Sequence, residues 1–339
     1  MSALTIVMYH YVRDLPRTRY PRIKGRTIEE FEGQLDYIQK HYTVTTTKAV
    51  VEASRRGGRP LPPNACLLTF DDGFLDHYTT VFPRLLARGL SGSFYPPAVV
   101  ARGGRVLDVH KIHFILAAAA DHDALAARLL ELIDTRRRDA QLPDTAALKA
   151  EHWSASPVGD GAPTAFIKRV LQKRPLPPEV RSEIAHALFE EWVGVDEAVF
   201  AHELYMDLAQ LRAMAASGME IGGHGAEHVW LDQLTAAEQE REVAGTRAFL
   251  TEVQGSPPLD WVMCYPYGAH DDSTVDLVER HGAALGLTTR TGIARMLDAP
   301  RRLPRLDTND LPPRGDAEPV AWTLEALTAR GAAPVAAAR

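Results

Sequence analysis

The chain has 339 residues, of which 45% are hydrophobic and 24% are charged, and its formal net charge is −6. These values are ordinary for a globular protein and exclude a wholly disordered chain. The acidic balance excludes broad nucleic-acid binding, which needs a basic face, so no nucleic-acid partner is expected. The sequence contains no run of about 18 apolar residues, so no membrane span is predicted, and the N-terminus lacks a secretory signal. The expected location is therefore the cytoplasm.

The first hundred residues predict an alternation of strands and helices. Strands are predicted at 4–9, 43–45, 66–70 and 91–95, and helices at 27–39, 49–55 and 80–88. Thr27 and Glu30 have the spacing of a capping box at the start of the first helix. This alternation predicts a parallel sheet or barrel with helices outside it.

The segment from about 105 to 205 has a different character, because it is rich in Ala and Leu and contains no convincing strand. Helices are predicted there at 112–120, 125–136 and 179–193, and the segment is interpreted as a helical insertion. The alternation then resumes, with helices at 207–217, 236–253 and 273–281 and strands at 219–222, 261–265 and 284–288. Cys66 and Cys264 fall at opposite ends of parallel strands, so both are predicted to be reduced core residues.

The first candidate site is Leu-Leu-Thr-Phe-Asp-Asp-Gly at 67–73, where Asp71 and Asp72 directly follow an apolar strand. Polar residues at the carboxyl end of a barrel strand line the usual active-site face. Two adjacent carboxylates repel each other, so keeping both ionised favours a bound cation or a nearby arginine. A plain turn explains the segment equally well, because Asp-Gly pairs are common turn formers.

The second candidate site lies at 220–228, Glu-Ile-Gly-Gly-His-Gly-Ala-Glu-His, after another apolar strand. His224 and His228 are four residues apart, which predicts that both imidazoles lie on one face of a helical turn and can chelate a zinc-type ion. Taken alone, two unrelated surface histidines are the simpler explanation. A carboxylate from another strand end would complete a site of two histidines and one carboxylate with open positions.

The third candidate site is Val-Met-Cys-Tyr-Pro-Tyr-Gly at 262–268, where an apolar strand ends in a tight turn. Such a turn can direct backbone N–H groups at a developing oxyanion, and Tyr265 and Tyr267 can flank a sugar ring. A loop whose tyrosines cover the rim of the barrel is equally consistent with this segment.

In this order the three motifs resemble the polysaccharide deacetylase family, also called the NodB-homology or carbohydrate esterase family 4 group. The family pattern is T-F-D-D-G, then H-[S/T]-x-x-H, then R-x-P-Y-G. Here T-F-D-D-G is intact at 69–73, Gly225 replaces Ser or Thr, and Cys264 replaces Arg. The resemblance covers roughly residues 1–105 and 205–310. It implies an α/β fold, a distorted (β/α)7 barrel, and a divalent metal, with Zn²⁺ ahead of Co²⁺, Ni²⁺ or Fe²⁺.

The resemblance also implies a role for each matching residue. Asp71 would be the general base, and the metal would be held by Asp72, His224 and His228. The turn Tyr265, Pro266 and Tyr267 would contact substrate, with the backbone N–H of Tyr267 helping to bind the oxyanion.

One further role is implied by a subset of this family that lacks the motif arginine, has Tyr-Pro-Tyr-Gly as its third motif and opens with a Tyr-His pair on the first strand. In that subset a first-strand histidine is the general acid, and the matching residue is His10, in Met8-Tyr9-His10-Tyr11. Arg305 is the expected replacement for the arginine beside Asp71, with Arg301 and Arg302 as competitors.

We therefore expect residues 1–328 to form one polysaccharide deacetylase-like barrel domain with a helical insertion at about 105–205, followed by a disordered tail at 329–339. The expected reaction is removal of an N-acyl group, acetyl first, from an amino-sugar substrate. One alternative keeps the fold and changes the bond, giving a deformylase, an O-esterase or another C–N hydrolase. Another is a carbohydrate-binding protein with an inactive relic of the site.

Overall fold

The computed structural model describes residues 3–137, 141–157, 159–172, 175–295 and 299–328, so the predicted tail at 329–339 lies outside the described residues. The chain divides into two compact units. The larger unit takes the described residues within 1–14, 25–103 and 202–339, and the smaller takes Leu15–Lys24 and Gly104–Ala201. The smaller unit includes most of the segment that the sequence predicts as a helical insertion.

Nine strands are formed by the described residues. In chain order they are β1 (Ala3–Tyr9), β2 (Thr43–Val44), β3 (Ala65–Asp71), β4 (Ser93–Tyr95), β5 (Glu220–Ile221), β6 (Trp261–Cys264), β7 (Ala283–Thr291), β8 (Ala294–Arg295) and β9 (Leu303–Asp307). The strands that the sequence analysis named are all present, with boundaries that differ by a few residues. β8 and β9 were not predicted.

Seven of these strands form a curled parallel sheet in the order β5-β4-β3-β1-β9-β7-β6. The two ends of this order meet, because Gly223, just after β5, forms a parallel bridge with Met263 of β6. The Gly223 N–H donates to Val262 at 2.9 Å and its carbonyl accepts from Cys264 at 2.8 Å. The strands therefore follow chain order around a closed ring, and the predicted seven-stranded α/β barrel is confirmed.

Alternation along the strands sorts side chains between the inside and the outside of the barrel. Inside, one buried cluster includes Leu4, Leu67, Val262 and Leu285. Outside, Val7, Leu68, Phe70 and Met263 belong to a larger cluster with the surrounding helices. The same rule directs polar residues on inward positions near the carboxyl ends of the strands toward the barrel axis.

Thirteen helices are formed by the described residues. In chain order they are α1 (Ile28–His41), α2 (Thr47–Ser54), α3 (Phe82–Ala87), α4 (Asp108–Ala118), α5 (His122–Arg136), α6 (Thr145–His152), α7 (Ala162–Gln172), α8 (Pro178–Trp192), α9 (Glu197–Leu204), α10 (Leu208–Ala216), α11 (Ala236–Gln254), α12 (Asp272–Arg280) and α13 (Ala321–Thr328). Among these described helices, none combines the length and the apolar character needed to cross a bilayer.

Local signals explain several helix boundaries. The predicted capping box of α1 is confirmed: the Glu30 N–H donates to Thr27 Oγ1 at 3.1 Å, and the Thr27 N–H donates to Glu30 Oε2 at 2.9 Å. The predicted helix at 80–88 instead begins with a π-helical turn at His77–Val81, which continues into α3. The sequence analysis missed α6, α7, α9 and α13.

The helix α2 closes the amino end of the barrel. Its residues Val50 and Val51 belong to the interior cluster. Its first N–H groups, those of Thr47 and Lys48, donate to the Glu220 carboxylate at 2.5 and 2.9 Å. A carboxylate is favoured at a helix N-terminus, and here it fixes α2 to the first residue of β5. The carboxyl end of the barrel is left for the polar residues that the motifs supply.

Candidate active site at the carboxyl end of the barrel

Six of the predicted site residues come together at the carboxyl ends of the barrel strands. They are His10 after β1, Asp71 at the end of β3, Asp72 beside it, His224 and His228 after β5, and Arg305 in β9. These residues are far apart in the chain, and the ring of parallel strands places their ends on one face. This is the face on which barrel enzymes carry their active sites.

Asp72, His224 and His228 converge on one point. The distance from Asp72 Oδ1 to Nε2 is 3.2 Å for His224 and 3.4 Å for His228, and all three side chains are buried. Ligands that lie about 2.0–2.2 Å from a tetrahedral ion are roughly 3.3–3.6 Å apart. Two imidazoles and a carboxylate are also a common donor set for zinc and similar ions. The three residues therefore fit a divalent metal.

A second group with metal-binding residue types, Asp71, His224 and Cys264, lies beside the first. The His224 Nδ1 is 2.7 Å from the Cys264 carbonyl oxygen, which can only accept, so Nδ1 carries the proton and Nε2 faces Asp72. Burial raises the pKa of the Cys264 thiol, whereas thiolate is the form that binds metal. Of the two groups, the one that contains Asp72 therefore fits a metal ion better.

The segment between the two histidines is a loop, so the predicted helical turn is wrong. Gly225 has a φ of +77° and His228 has a φ of +58°, both left-handed. The loop is instead held by Glu242 of α11, whose Oε2 accepts from the N–H groups of Ala226 at 2.9 Å and Glu227 at 3.1 Å. The sequence contained no local signal for Glu242, because it follows the motif by more than a dozen residues.

Left-handed backbone recurs across the site. Asp72 has a φ of +73°, His228 of +58° and Tyr267 of +59°. Such conformations are uncommon for residues other than glycine, and they persist where the surrounding structure enforces them. Each of the three motifs thus carries one such non-glycine residue, in the segment that follows its strand.

Asp71 forms a bidentate ion pair with Arg305 inside the barrel. Arg305 Nη1 donates to Asp71 Oδ1 at 2.9 Å, and Nη2 donates to Oδ2 at 2.7 Å. The side chain of Asp71 is 2% exposed and that of Arg305 is 1% exposed. Cys264 Sγ, which occupies the position of the family arginine, donates to Asp71 Oδ2 at 3.4 Å. Of the three arginines considered in the sequence, Arg305 is the one placed beside Asp71.

The other two arginines are engaged elsewhere. Arg301 pairs with Glu279 at 3.0 Å, and Arg302 pairs with Asp272. Arg305 points inward because it alternates with the outward Leu306 of the outer cluster. The strand β9 that carries it was not recognised in the sequence, since Pro304 and two charged residues make Leu303–Asp307 a poor strand pattern.

The ion pair sets the charge state of Asp71. Burial alone would raise the pKa of this carboxyl, but the charge and hydrogen bonds of Arg305 outweigh it and hold the pKa below its ordinary value. Asp71 is therefore ionised at neutral pH. A carboxylate has about four acceptor positions. Three of them accept from Arg305 and Cys264, and the remaining one lies on Oδ1.

We expect Arg305→Met to lower the free energy of unfolding by about 3–5 kcal/mol at neutral pH, because it leaves the Asp71 charge buried without its partner. The folded pKa of Asp71 lies below its unfolded value, so the stabilisation is present above roughly pH 4 and is lost as the pH falls further. Denaturant unfolding at pH 7 measures the effect. Arg302→Met is the matched control, because the Asp272 side chain is 93% exposed and such a pair contributes about 1 kcal/mol or less. Equal losses in the two variants would contradict the assignment.

The residues of the third motif differ in whether their side chains reach the site. Tyr265 is fully buried, its hydroxyl donates to the Arg301 carbonyl at 3.0 Å, and its ring stacks on His270. Its predicted contact with substrate through the side chain is therefore wrong. The physical reason is strand alternation, since the preceding Cys264 points into the barrel and Tyr265 must point out. Pro266 is buried as well, and packs beside Gly225.

Tyr267 remains at the site. Its ring centroid lies 4.7 Å from that of His228, and the Trp230 ring stacks on it with a centroid distance of 4.5 Å and an interplanar angle of 5°. Both Trp230 and Tyr267 are half-buried. Through this stacking, Trp230 and Tyr267 together form a wall beside the His228 imidazole.

His10 lies at the mouth of the site. Its Nε2 is 3.9 Å from Asp72 Oδ2, the carboxylate oxygen that does not face the two histidines, and its side chain is 40% exposed. The position allows the imidazole to reach both the site and solvent. The backbone carbonyl oxygen of His10 is 2.8 Å from Nε2 of the buried His77, a residue that the sequence analysis did not consider.

Known proteins resemble this chain in part of its sequence and in its fold. Residues 182–286 match the family model described as polysaccharide deacetylase. Over 108 residues the chain is 33% identical to the poly-beta-1,6-N-acetyl-D-glucosamine N-deacetylase of Escherichia coli K12, an alignment that covers 32% of this chain and 15% of that protein. The chain thus spans a small part of this relative. The predicted resemblance to the polysaccharide deacetylase family is confirmed.

Solved structures support the fold over a much larger share of the chain. Streptococcus pyogenes deacetylase PplD aligns with a TM-score of 0.55 at 16% identity, covering 92% of this chain and 93% of that one. IcaB from Ammonifex degensii aligns with a TM-score of 0.51 at 19% identity, covering 96% and 98%. At these identities the likeness concerns the fold alone.

Proposed function

We propose that this chain is a metal-dependent hydrolase of the polysaccharide deacetylase type, which removes an N-acyl group, acetyl first, from an amino-sugar substrate. One observation carries the proposal. Asp72, His224 and His228 present three ligand atoms to a single point, and a second carboxylate, Asp71, stands beside them held ionised by Arg305. Metal-assisted hydrolysis needs this combination of a metal with open positions and a separate base.

The metal would be held by Asp72, His224 and His228. Zinc is the first candidate because of the two imidazoles and one carboxylate, and Co²⁺, Ni²⁺ or Fe²⁺ are the alternatives. When bound, such an ion polarises an acyl carbonyl and lowers the pKa of water. The Nδ1–H of His224, donated to the Cys264 carbonyl, fixes the tautomer that offers Nε2 to the ion.

Asp71 is assigned as the general base. It is ionised at neutral pH, and its remaining acceptor position, on Oδ1, can take a proton from the attacking water. Arg305 orients both oxygens, so the base has one defined direction of approach. A carboxylate with a lowered pKa is a weak base, and it needs a water whose own pKa is lowered.

His10 is assigned as the general acid that protonates the departing amine. Its imidazole is partly exposed and lies near Asp72, so it can reach the leaving group and exchange protons with solvent. The backbone N–H of Tyr267, in its left-handed turn, is assigned to the oxyanion, where a fixed dipole favours the developing charge.

The relatives favour acetylated amino sugars among the candidate substrates. The E. coli relative is named as an N-deacetylase of poly-beta-1,6-N-acetyl-D-glucosamine, and the PplD structure is described in complex with acetate. The half-buried Trp230 and Tyr267 supply aromatic faces of the kind that pack on sugar rings. These features support an acetylated hexosamine as the first candidate substrate.

The test is release of acid from a panel of acylated sugars by the metal-loaded protein, with Asp71→Asn as control. The panel contains β-1,4 and β-1,6 oligomers of N-acetylglucosamine, a small N-acetyl glycoside, the N-formyl analogue and an O-acetyl sugar. We expect acetate from an N-acetyl member and none above background from the control. Formate release alone would indicate a deformylase, and release from the O-acetyl sugar alone an esterase. Sugar binding without any release would indicate an inactive relic.

A further inference from the structure

A buried histidine lies directly beneath the proposed general acid. His77 opens the π-helical turn that follows the Asp71-Asp72 motif, and its side chain is fully buried. Its Nε2 is 2.8 Å from the carbonyl oxygen of His10. Isolated π-helical turns are rare and often occur at functional sites. This turn places the His77 imidazole against the backbone of His10, the residue that follows β1.

The chemistry of this contact fixes the state of His77. A carbonyl oxygen only accepts hydrogen bonds, so Nε2 must carry the proton and donate it. Burial lowers the pKa of His77 to about 4, so the imidazole is neutral at physiological pH. The ring lies among Phe70, Phe74 and Phe94, with centroid distances of 5.6, 5.7 and 5.8 Å. This packing leaves the ring little freedom to turn away from His10.

A second contact joins the same two segments. Asp76, which precedes His77, accepts from Arg13 Nε and Nη2, both at 2.7 Å. These side chains are 18% and 14% exposed, so the pair is largely shielded from solvent. The adjacent residues Asp76 and His77 therefore contact the segment after β1 at two points, Arg13 and His10, respectively. The His10 side chain itself is 40% exposed, so its place depends mainly on its backbone.

We propose that His77 is a positioning residue that fixes the backbone of His10 and so places the His10 imidazole for proton transfer to the leaving amine. This inference rests on the proposed function, which makes His10 the general acid. His77 acts through the backbone of His10. Its contribution is the single N–H donated to the His10 carbonyl, supported by the aromatic packing around it.

Two substitutions separate this hydrogen bond from packing. His77→Gln keeps an N–H at the position of Nε2, whereas His77→Phe fills the aromatic pocket and removes the donor. We expect His77→Phe to lower kcat for an N-acetyl amino sugar by about 10–100-fold, the range seen when a group that orients an active-site residue is removed. KM and metal content should stay unchanged, and His77→Gln should recover most of the activity.

A change of substrate gives a readout that a general structural defect would not produce. An aryl acetate has a good leaving group and needs no general acid. We therefore expect His77→Phe and His10→Ala to spare aryl acetate hydrolysis while both lose amide hydrolysis. An equal loss on both substrates in His77→Phe would mean that the residue only supports folding. If the wild type deacetylates sugars and His77→Phe matches it, the inference fails while the proposed function stands.

A measurement independent of activity tests the contact itself. Imidazole ¹⁵N–¹H NMR of the full chain at pH 7 should show His77 protonated on Nε2 and bare on Nδ1. The crystal structure of His77→Phe should show His10 displaced from its position in the wild type. The opposite tautomer, or an unmoved His10, would overturn the inference even if no substrate were found.

Discussion

Asp71→Asn should lower kcat by about 10²–10⁴-fold, the usual contribution of a general base, while one equivalent of metal is retained. The amide cannot take a proton from water, but the three proposed metal ligands Asp72, His224 and His228 are unchanged. Acetate release from the best N-acetyl substrate measures the loss, and elemental analysis of the same sample measures the metal.

The buried ion pair complicates this variant and also supplies its control. Asn at 71 leaves the Arg305 guanidinium buried without a counter-charge, so the variant should be less stable as well as inactive. In the double variant Asp71→Asn with Arg305→Met neither charge remains, and much of the stability should return. Activity should stay low in both. Recovery of turnover together with stability would show that Asp71 acts through folding and is not the base.

His224→Ala should remove the metal. One of three ligands is lost, and the loss of affinity should exceed the 10–100-fold that removal of an outer hydrogen-bonding partner typically causes. We expect the metal-to-protein ratio after reconstitution and gel filtration to fall from about one to near zero, as binding by a complete three-ligand site predicts. Turnover should fall with it, and His228→Ala should behave in the same way.

Thermal unfolding offers a second readout for the same variants. A ligand at 100 times its Kd stabilises the folded state by about 2.7 kcal/mol, so added Zn²⁺ should raise the Tm of the wild type and leave that of His224→Ala unchanged. His186→Ala is the matched control, because His186 also lies beside carboxylates, those of Glu190 and Glu197, outside either candidate metal group. A His224→Ala protein that keeps stoichiometric metal would refute the ligand assignment.

Comparison of the sequence with the structure shows which rules act locally. The capping box of α1 was predicted from Thr27 and Glu30 alone, because these two residues are only three positions apart in the chain. Strand alternation could also have corrected Tyr265, since Cys264 before it points inward. Both cysteines are free and buried, as the positions of their strands predicted.

Other features depended on which distant segments meet. The choice of Arg305 over Arg301 and Arg302 follows from β9 lying beside β1 in the barrel, with Leu306 paired to Val7. The two histidines meet Asp72 through a left-handed loop held by Glu242, and not through the helical turn that their spacing suggested. The hydrogen bond from His77 to His10 joins residues 67 positions apart.

The sequence by itself determined the alternation of strands and helices from β1 to β4 and from α10 to β7, and the residue types that follow these strands, because these depend on short-range backbone preferences and on the periods of the two structures. Only the tertiary structure decided which carboxylate lies beside the two histidines, which nitrogen of His224 faces Asp72 and which arginine neutralises Asp71. Those choices depend on how strands from opposite ends of the chain become neighbours when the barrel closes. Closure of the barrel depends on the packing of the whole chain, so it cannot be predicted from any local segment.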